Sequence, residues 1–321
     1  MHSPVRMAAI DMDGTLLPSF GYEISRRNLK ALRAAQDAGI QVVIATGRRT
    51  AFTAPLLEGL GLRADMPLIT SNGAVTRTLG GEPIDRWTLD ADVARGLCGL
   101  LRGFGVLVFT FDQPGRGELV LEDLDRAEGR MELWVEANRD AIEVVSPLEE
   151  VFTSRGAPIQ GMVAGPVGRM REAEEAFEAS RWSGHCECLR TEYPARDLAI
   201  LDLLPSGISK AAALERLAGQ LGIGRLETLA IGDNWNDEGM LEWAGQSFIM
   251  ANAARALRSM AKLRGWKQAP SNDRNGVAVV LEAAVARLPR PVPPRQSGPG
   301  SGAPESGLRR GLEPGLEEDR A

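Results

Sequence analysis

The sequence predicts an α/β fold in which a parallel-sheet core is interrupted by an inserted α+β domain. Three observations support this prediction. Strand-length apolar runs alternate with segments of helical periodicity near both ends of the chain. The alternation is lost from about residue 83 to about residue 194. With 321 residues, the chain is also longer than one average domain, so a core and a smaller second domain are expected.

The first 82 residues contain three predicted strands and two predicted helices. In chain order these are a strand in "RMAAI" (6–10), a helix over 25–38, a strand in "IQVVIAT" (40–46), a helix over 50–60 and a strand in "PLITSNG" (67–73). Leu29, Leu32 and Ala35 recur at helical spacing, and Gly39 is typical of a C-terminal cap. Strand–helix–strand alternation of this kind favours a parallel sheet with helices on its faces.

The rest of the chain divides into an inserted domain, a return to the core and a tail. Residues 83–194 form the predicted inserted domain, and "LAILDLLP" (198–205) is expected to resume the core, so that 1–82 and 195–288 make one domain. Later elements are a helix from Ser209, strands in "TLAIGDN" and "SFIMANA", and helices over 254–263 and 277–287. The tail, 289–321, has seven prolines and six glycines and is expected to be disordered, because it cannot bury enough apolar surface.

Composition and charge exclude several classes of protein. The net charge of −6 argues against binding to nucleic acid or to anionic lipid, since both require clustered Lys and Arg. Three cysteines, Cys98, Cys186 and Cys188, are too few and too poorly spaced for a disulfide framework. The run "MAAI" before Asp11 is too short for the apolar region of a signal peptide, so none is expected, and no apolar run approaches the ~20 residues of a membrane span. These features predict a cytoplasmic protein that binds neither nucleic acid nor membrane.

Four polar stretches fall at predicted strand ends or helix starts. They are "DMDGT" (11–15), "TGR" (46–48), Lys210 in "GISK", and "GDNWND" (232–237). The carboxyl ends of parallel strands form the ligand crevice of such sheets, so Asp11, Asp13 and Asp233 are expected to converge there. Three carboxylates in close proximity repel one another unless a cation lies among them. Hard oxygen ligands favour Mg²⁺, which commonly links protein carboxylates to substrate phosphate.

The remaining groups of these stretches suit a phosphate. Lys210 supplies a positive charge, and Thr46 supplies a hydroxyl beside the backbone amides of Gly47 and Arg48. A carboxylate at such a site is able to attack phosphorus and form an aspartyl-phosphate. A second acid two residues further on is able to protonate the leaving oxygen and later to deprotonate water. The pattern therefore indicates phosphoryl-transfer chemistry.

The four stretches, taken in order, resemble the four motifs of the haloacid dehalogenase (HAD) superfamily of phosphatases. The runs "DGTLLPSFGYEISRRNLKALRAAQDAGIQVVIATGR", "TSNGA", "LDLLPSGISKAAALERL" and "SNDRNGVAVVLE" are similar to the Cof-like branch of that superfamily. The resemblance implies a Rossmann-like parallel-sheet core, the HAD fold, with an inserted α+β cap domain over 83–194. It also implies a Mg²⁺-dependent phosphatase that hydrolyses a small phosphorylated metabolite, such as a sugar phosphate, through an aspartyl-phosphate.

The resemblance further implies a role for each site residue. Asp11 is the nucleophile, Asp13 is the general acid/base, and Thr46 and Lys210 hold the phosphoryl group. The metal ligands are Asp11, Asp233, the backbone carbonyl of Asp13 and, through water, Asp237. Asn236 orients the site together with Asp237, and Asn72 and Arg48 line the substrate side next to Gly47.

Other interpretations stay open at this point. Thr46 is also a candidate N-cap for the following helix, and the acids of "GDNWND" also suit a helix N-terminus. Cys186 and Cys188 fit either a soft-metal site or a buried strand face. The alternatives for function are a phosphomutase acting on a sugar phosphate and a non-catalytic sensor of a phosphorylated metabolite.

Overall fold

Two β-sheets organise the computed structural model, which describes residues 3–128, 131–193 and 196–289. The strands are β1 (Met7–Asp11), β2 (Gln41–Ala45), β3 (Pro67–Thr70), β4 (Val75–Thr78), β5 (Pro83–Arg86), β6 (Val106–Thr110), β7 (Leu119–Leu121), β8 (Ile142–Val144), β9 (Gln160–Gly165), β10 (Cys186–Tyr193), β11 (Leu198–Pro205), β12 (Thr228–Gly232), β13 (Gln246–Met250) and β14 (Lys267–Ala269).

The helices flank these sheets. They are α1 (Arg26–Asp37), α2 (Thr50–Leu57), α3 (Ala91–Leu101), α4 (Leu124–Glu128), α5 (Glu132–Asn138), α6 (Val151–Ser154), α7 (Val167–Glu178), α8 (Lys210–Gln220), α9 (Glu238–Trp243), α10 (Arg255–Leu263) and α11 (Gly276–Ala286). In the described part of the chain, every helix is too short or too polar to cross a bilayer.

The first sheet has the strand order β14-β13-β12-β1-β2-β3-β4-β5. The six strands from β14 to β3 run parallel, β4 pairs antiparallel with β3, and β5 pairs antiparallel with β4. Alternate residues of β1 pack into different clusters, Ala8 and Ile10 on one face and Met7 and Ala9 on the other. A strand that is apolar on both faces is typical of a parallel sheet covered by helices, which confirms the predicted α/β fold.

The second sheet has the order β10-β11-β9-β6-β7-β8 and is antiparallel except for the β7–β8 pair. It contains β11, which pairs with β9 and β10. The expectation that "LAILDLLP" resumes the core sheet is therefore wrong. A continuous apolar run is equally compatible with a central antiparallel strand whose two faces are covered, so its sequence does not assign it to a sheet.

Several helix boundaries follow from local signals. The Ser25 hydroxyl accepts a hydrogen bond from the Asn28 amide at the start of α1, as expected of an N-cap. Helix α2 ends at Leu57, three residues before the predicted end at residue 60. Gly59 and Gly61, which follow it, adopt positive φ angles that do not continue a helix. The predicted domain boundaries stay a prediction. The predicted disordered tail, 289–321, lies outside the described residues except for Pro289.

Candidate active site

The central strands of the first sheet bring two of the predicted acids together. Strands β1 and β12 are parallel neighbours with Ile10 opposite Ile231, so Asp11 and Asp233 emerge at the same edge. The turn after β12 adds Asp237, and one carboxylate oxygen from each of the three acids lies within 4.8 Å of the others. This carboxylate cluster (Asp11, Asp233 and Asp237) is able to hold a metal ion, since hard oxygen ligands suit divalent cations.

Lys210 links two members of the carboxylate cluster. Its Nζ donates to Asp11 Oδ1 and to Asp237 Oδ1, each at 2.7 Å, and its side chain is fully buried. Lys210 is the first residue of α8, and the hydroxyl of Ser209 caps that helix by accepting from the Ala212 amide. The cap fixes the direction in which α8 starts, and therefore also the position of the Lys210 backbone from which the side chain extends.

The cluster is electrostatically strained without a cation. Burial, and then repulsion by the neighbouring Asp237 carboxylate, raise the pKa of Asp11 to about 7 against the opposing effect of Lys210. Burial, and then repulsion by Asp11 and Asp237, likewise raises the pKa of Asp233. Three carboxylates and one ammonium leave two negative charges unbalanced when all are ionised. A divalent cation carries the charge that the donor set lacks.

The backbone turn after β1 is built closely around Asp233. Gly14 has a φ of +72°, and a Cβ there would lie 2.7 Å from the Cγ of Asp233. The Thr15 hydroxyl donates to Asp233 Oδ1 at 3.1 Å, and the Asn252 side-chain amide donates to the Gly14 carbonyl at 2.7 Å. Only glycine combines this conformation with this proximity.

Asp237 has a second role at the same turn. Its Oδ2 accepts hydrogen bonds from the backbone amides of Asp233 and Asn234 at 3.0 and 3.1 Å. The N-terminal capping interpretation of "GDNWND" is therefore correct for Asp237, and the same carboxylate contacts Lys210 through its other oxygen. Capping orients this side chain toward the cluster rather than competing with it.

The "TGR" segment follows β2 and lies against the turn after β3. The Thr46 hydroxyl accepts from the Arg48 amide at 3.1 Å, whereas the N-cap position of α2 is occupied by Arg49. The N-cap interpretation of Thr46 is therefore wrong, because the helix starts four residues later. A Cβ on Gly47 would lie 3.1 Å from Asn72 Oδ1, so the Asn72 amide packs directly on this segment.

Asn72 is fully buried and connects the segment to the fourth motif. It adopts a left-handed conformation with φ 52°, and its backbone amide donates to the Thr46 carbonyl. Its Oδ1 accepts from Asn236 Nδ2 at 3.3 Å. The structure thus brings Thr46, Gly47, Asn72 and Asn236 together, as the family resemblance implies.

Asp13 is oriented differently from the other acids. Its side chain is 45% exposed and lies outside the carboxylate cluster, where it forms a two-pronged ion pair with Arg48. The Arg48 guanidinium also lies over the rings of Tyr22 and Phe52, 5.1 and 4.4 Å from their centroids. The prediction that the Asp13 carboxylate converges with those of Asp11 and Asp233 is therefore wrong, because Asp13 pairs with Arg48 instead. The role of its backbone carbonyl stays a prediction.

Sequence reasoning missed several polar residues of this region. Asn252 follows β13, and its position after a parallel strand is a signal that would have identified it. Thr15 lies within the first motif, but the sequence pattern assigns it no role. Arg49 contacts Glu118 and Asn138, which belong to the segment of the predicted inserted domain. No local pattern indicates these three partners, since they are far apart in the chain.

The two cysteines of β10 belong to the packing of the second sheet. Cys186 and Cys188 both lie on the side of the second sheet that packs against α3 and α7. Burial raises the pKa of the Cys186 thiol to about 12, which disfavours the thiolate that a metal needs. Among the described residues, the only candidate metal cluster is the carboxylate cluster.

Comparison with known proteins identifies the family to which the chain belongs. Residues 8–281 match the family model of haloacid dehalogenase-like hydrolases. The 5-amino-6-(5-phospho-D-ribitylamino)uracil phosphatase YwtE of Bacillus subtilis is 30% identical to this chain, in an alignment that covers 88% of this chain and 99% of YwtE. An HMP-PP phosphatase of Escherichia coli is 30% identical over 79% of this chain and 87% of its own. The structure of a haloacid dehalogenase-like hydrolase from B. subtilis superposes with a TM-score of 0.72 and 25% identity, covering 87% of this chain and 99% of that one.

The family model covers most of the chain, and its phosphatase relatives align over nearly their whole length. The predicted resemblance is therefore confirmed: this chain belongs to the haloacid dehalogenase-like hydrolases and is an enzyme of their phosphatase class.

Proposed function

We propose that the chain is a Mg²⁺-dependent phosphomonoester hydrolase that uses Asp11 as its nucleophile. The observation that carries this proposal is the close approach of the Asp11, Asp233 and Asp237 carboxylates, with Lys210 bound between Asp11 and Asp237. The excess of negative charge in this donor set suits Mg²⁺, with Asp11, Asp233 and the Asp13 carbonyl as ligands and Asp237 acting through water. When bound, Mg²⁺ would offset negative charge on the phosphoryl oxygens.

In the first chemical step, a carboxylate oxygen of Asp11 attacks phosphorus. Asp11 Oδ1 accepts from Lys210, and Oδ2 receives no hydrogen bond from the described residues, so Oδ2 is the oxygen left for attack. The bond between phosphorus and the leaving oxygen breaks, and Asp13 donates a proton to that oxygen. Lys210 and Thr46 stabilise the phosphoryl group as its charge redistributes.

In the second step, water hydrolyses the aspartyl-phosphate. Asp13 removes a proton from this water, which attacks phosphorus and releases Asp11 and inorganic phosphate. Asp13 is suited to both steps because it lies at the exposed rim of the site, 45% accessible, where a leaving group and water enter. Its ion pair with Arg48 has to open or shift when substrate arrives, since the same carboxylate must then face the leaving oxygen.

The substrate is proposed to be a small phosphorylated metabolite, with a sugar phosphate as the leading class. The names of the relatives support this size class: one acts on a phosphorylated ribityl compound, another on HMP-PP. Polar residues from the inserted segment, Glu118 and Asn138, lie against Arg49 next to the "TGR" segment. An inserted segment held beside the site in this way would limit the space for substrate and favour small molecules.

A panel of phosphorylated metabolites tests this proposal. Sugar phosphates, phosphorylated ribityl compounds and pyrimidine phosphates are incubated with the full chain, with and without Mg²⁺, and with Asp11→Asn as the control. We expect Mg²⁺-dependent release of inorganic phosphate that the variant lacks. Isomerised sugar phosphate without release would instead identify a mutase, and tight binding without any turnover would identify a sensor. Undiminished turnover by Asp11→Asn would overturn the mechanism.

A further inference from the structure

One buried carboxylate near the site has no part in the proposed chemistry. Asp202 lies in β11 of the second sheet and is only 8% exposed. Its Oδ2 accepts from Asn72 Nδ2 at 2.9 Å, and its Oδ1 accepts from Gln160 Nε2. Both direct partners are neutral amides. Burying a carboxylate in this way is costly, so its presence calls for a reason other than stability.

The Asn72 contact links the two sheets. Asn72 belongs to the turn after β3 in the first sheet, whereas Asp202 and Gln160 belong to neighbouring strands of the second. Since the carboxylate only accepts hydrogen bonds, it fixes which end of the Asn72 amide faces it. The Asn72 carbonyl oxygen is thereby left to face Asn236, and the amide plane lies against Gly47.

We propose that Asp202 is a positioning residue for phosphoryl transfer, an inference that rests on the proposed function. By locking the Asn72 amide, it holds the "TGR" segment and Asn236 in the arrangement that the transition state needs. The second sheet thus acts on the phosphate-binding side of the first through a single hydrogen bond. Burial raises the pKa of Asp202 to about 6, which agrees with a carboxylate kept for its acceptor geometry and not for charge pairing.

Asp202→Asn tests this inference with Gln160→Met as the matched control. The asparagine keeps the shape of Asp202, but its NH₂ group has to face one of the two donors, Asn72 or Gln160. Gln160→Met instead removes only the hydrogen bond within the second sheet and leaves the Asn72 contact in place. We expect Asp202→Asn to lower kcat and kcat/KM together by at least about 10-fold, since a group that acts only in the transition state affects both. Gln160→Met is expected to stay within about 3-fold of the wild type. Equal losses in both variants, or none in Asp202→Asn, would contradict the inference.

A double-mutant cycle separates positioning from general structural damage. Asn72→Ala, Asp202→Asn and the double variant are compared for kcat with one substrate. If Asp202 acts through Asn72, the double variant loses no more than Asn72→Ala alone. Additive losses would show that Asp202 acts by another route.

Hydrogen exchange gives a readout that does not depend on turnover. In Asp202→Asn, peptides covering 45–49 and 71–74 are expected to exchange faster than in the wild type, and in Gln160→Met they are expected not to. Unchanged exchange in Asp202→Asn would refute the positioning role even if the wild type proves inactive. A wild-type enzyme without turnover would count against the proposed function alone.

Discussion

Gly14 shows how closely single residues determine the site. Its positive φ turns the chain directly beneath Asp233, and the nearest atoms to a substituted Cβ all belong to that carboxylate. The contact explains why a residue without a side chain follows the two acids of "DMDG". Any added carbon displaces either the turn or a candidate metal ligand.

We expect Gly14→Ala to lose about 100-fold or more in kcat, because a shift of about 1 Å in a catalytic group has that effect. The matched control is Gly39→Ala, whose φ of +83° imposes the same backbone strain with no atom within 4 Å of the new Cβ. Backbone strain should destabilise each variant by ~1 kcal/mol, the contact with Asp233 should destabilise Gly14→Ala further, and only Gly14→Ala should lose turnover. Steady-state kinetics and urea unfolding measure the two effects, and comparable kcat values for the two variants would contradict this account.

The sequence predicted most individual site residues and missed those whose partners are remote. Asp11, Lys210 and Asp233 were predicted because each directly follows a strand or begins a helix. Asp202 was not, since nothing in "LAILDLLP" shows that its one acid faces an asparagine 130 residues earlier. The ion pair that turns Asp13 away from the cluster is likewise a property of the folded surface.

At the scale of elements, the start of α2 is tied to the second sheet by a buried ion pair. Arg49 precedes the helix and pairs with Glu118, the residue before β7, and with Asn138 at the end of α5. The side chains of Arg49 and Glu118 are only 14% and 4% exposed. Burial raises the pKa of Glu118, and Arg49 opposes that shift, so the carboxylate depends on its partner.

Arg49→Met should therefore lower the free energy of unfolding by on the order of 3 kcal/mol, as removing one partner of a buried pair commonly does. Arg63→Met is the control, because the Arg63–Asp65 pair is 60% exposed on both sides and is expected to change stability by about 0.5 kcal/mol or less. Adding Glu118→Gln to Arg49→Met should recover part of the loss by removing the unpaired charge. Urea denaturation checks all three, and equal effects at the two sites would refute the interpretation.

Element types were easier to predict than sheet membership. The parallel strands β1, β2, β3 and β12 follow from apolar runs that end in polar residues. Strand β11 has the same appearance but pairs antiparallel in the second sheet. Pairing is decided by contacts between distant segments, and periodicity within one segment does not contain that information.

At the scale of the whole molecule, buried carboxylates make the stability depend on pH. Burial raises the pKa of Asp202 from an ordinary 3.8 to about 6, so the folded state holds this proton more tightly than the unfolded chain. The contribution of this group is therefore fully present below about pH 4 and is lost as the pH rises through about 6.

Between about pH 4 and pH 7, the wild type should accordingly lose ~2 kcal/mol more stability than Asp202→Asn. Taking the difference between two pH values cancels the constant effect of the altered hydrogen bond. Urea unfolding of both proteins at the two pH values, in the presence of a chelator, measures this change in the free energy of unfolding. Identical pH dependence in the two proteins would show that Asp202 titrates normally in the folded state.

The central claim is that Asp11 carries the phosphoryl group during turnover. The most direct measurement is rapid acid quenching of the full chain during hydrolysis of a substrate from the panel, followed by mass spectrometry of the peptide containing residues 7–18. We predict one phosphoryl group on Asp11 in the wild type and none on this peptide in Asp11→Asn. A phosphoryl group on another side chain, or sustained turnover with no phosphorylated peptide at any quench time, would contradict the account.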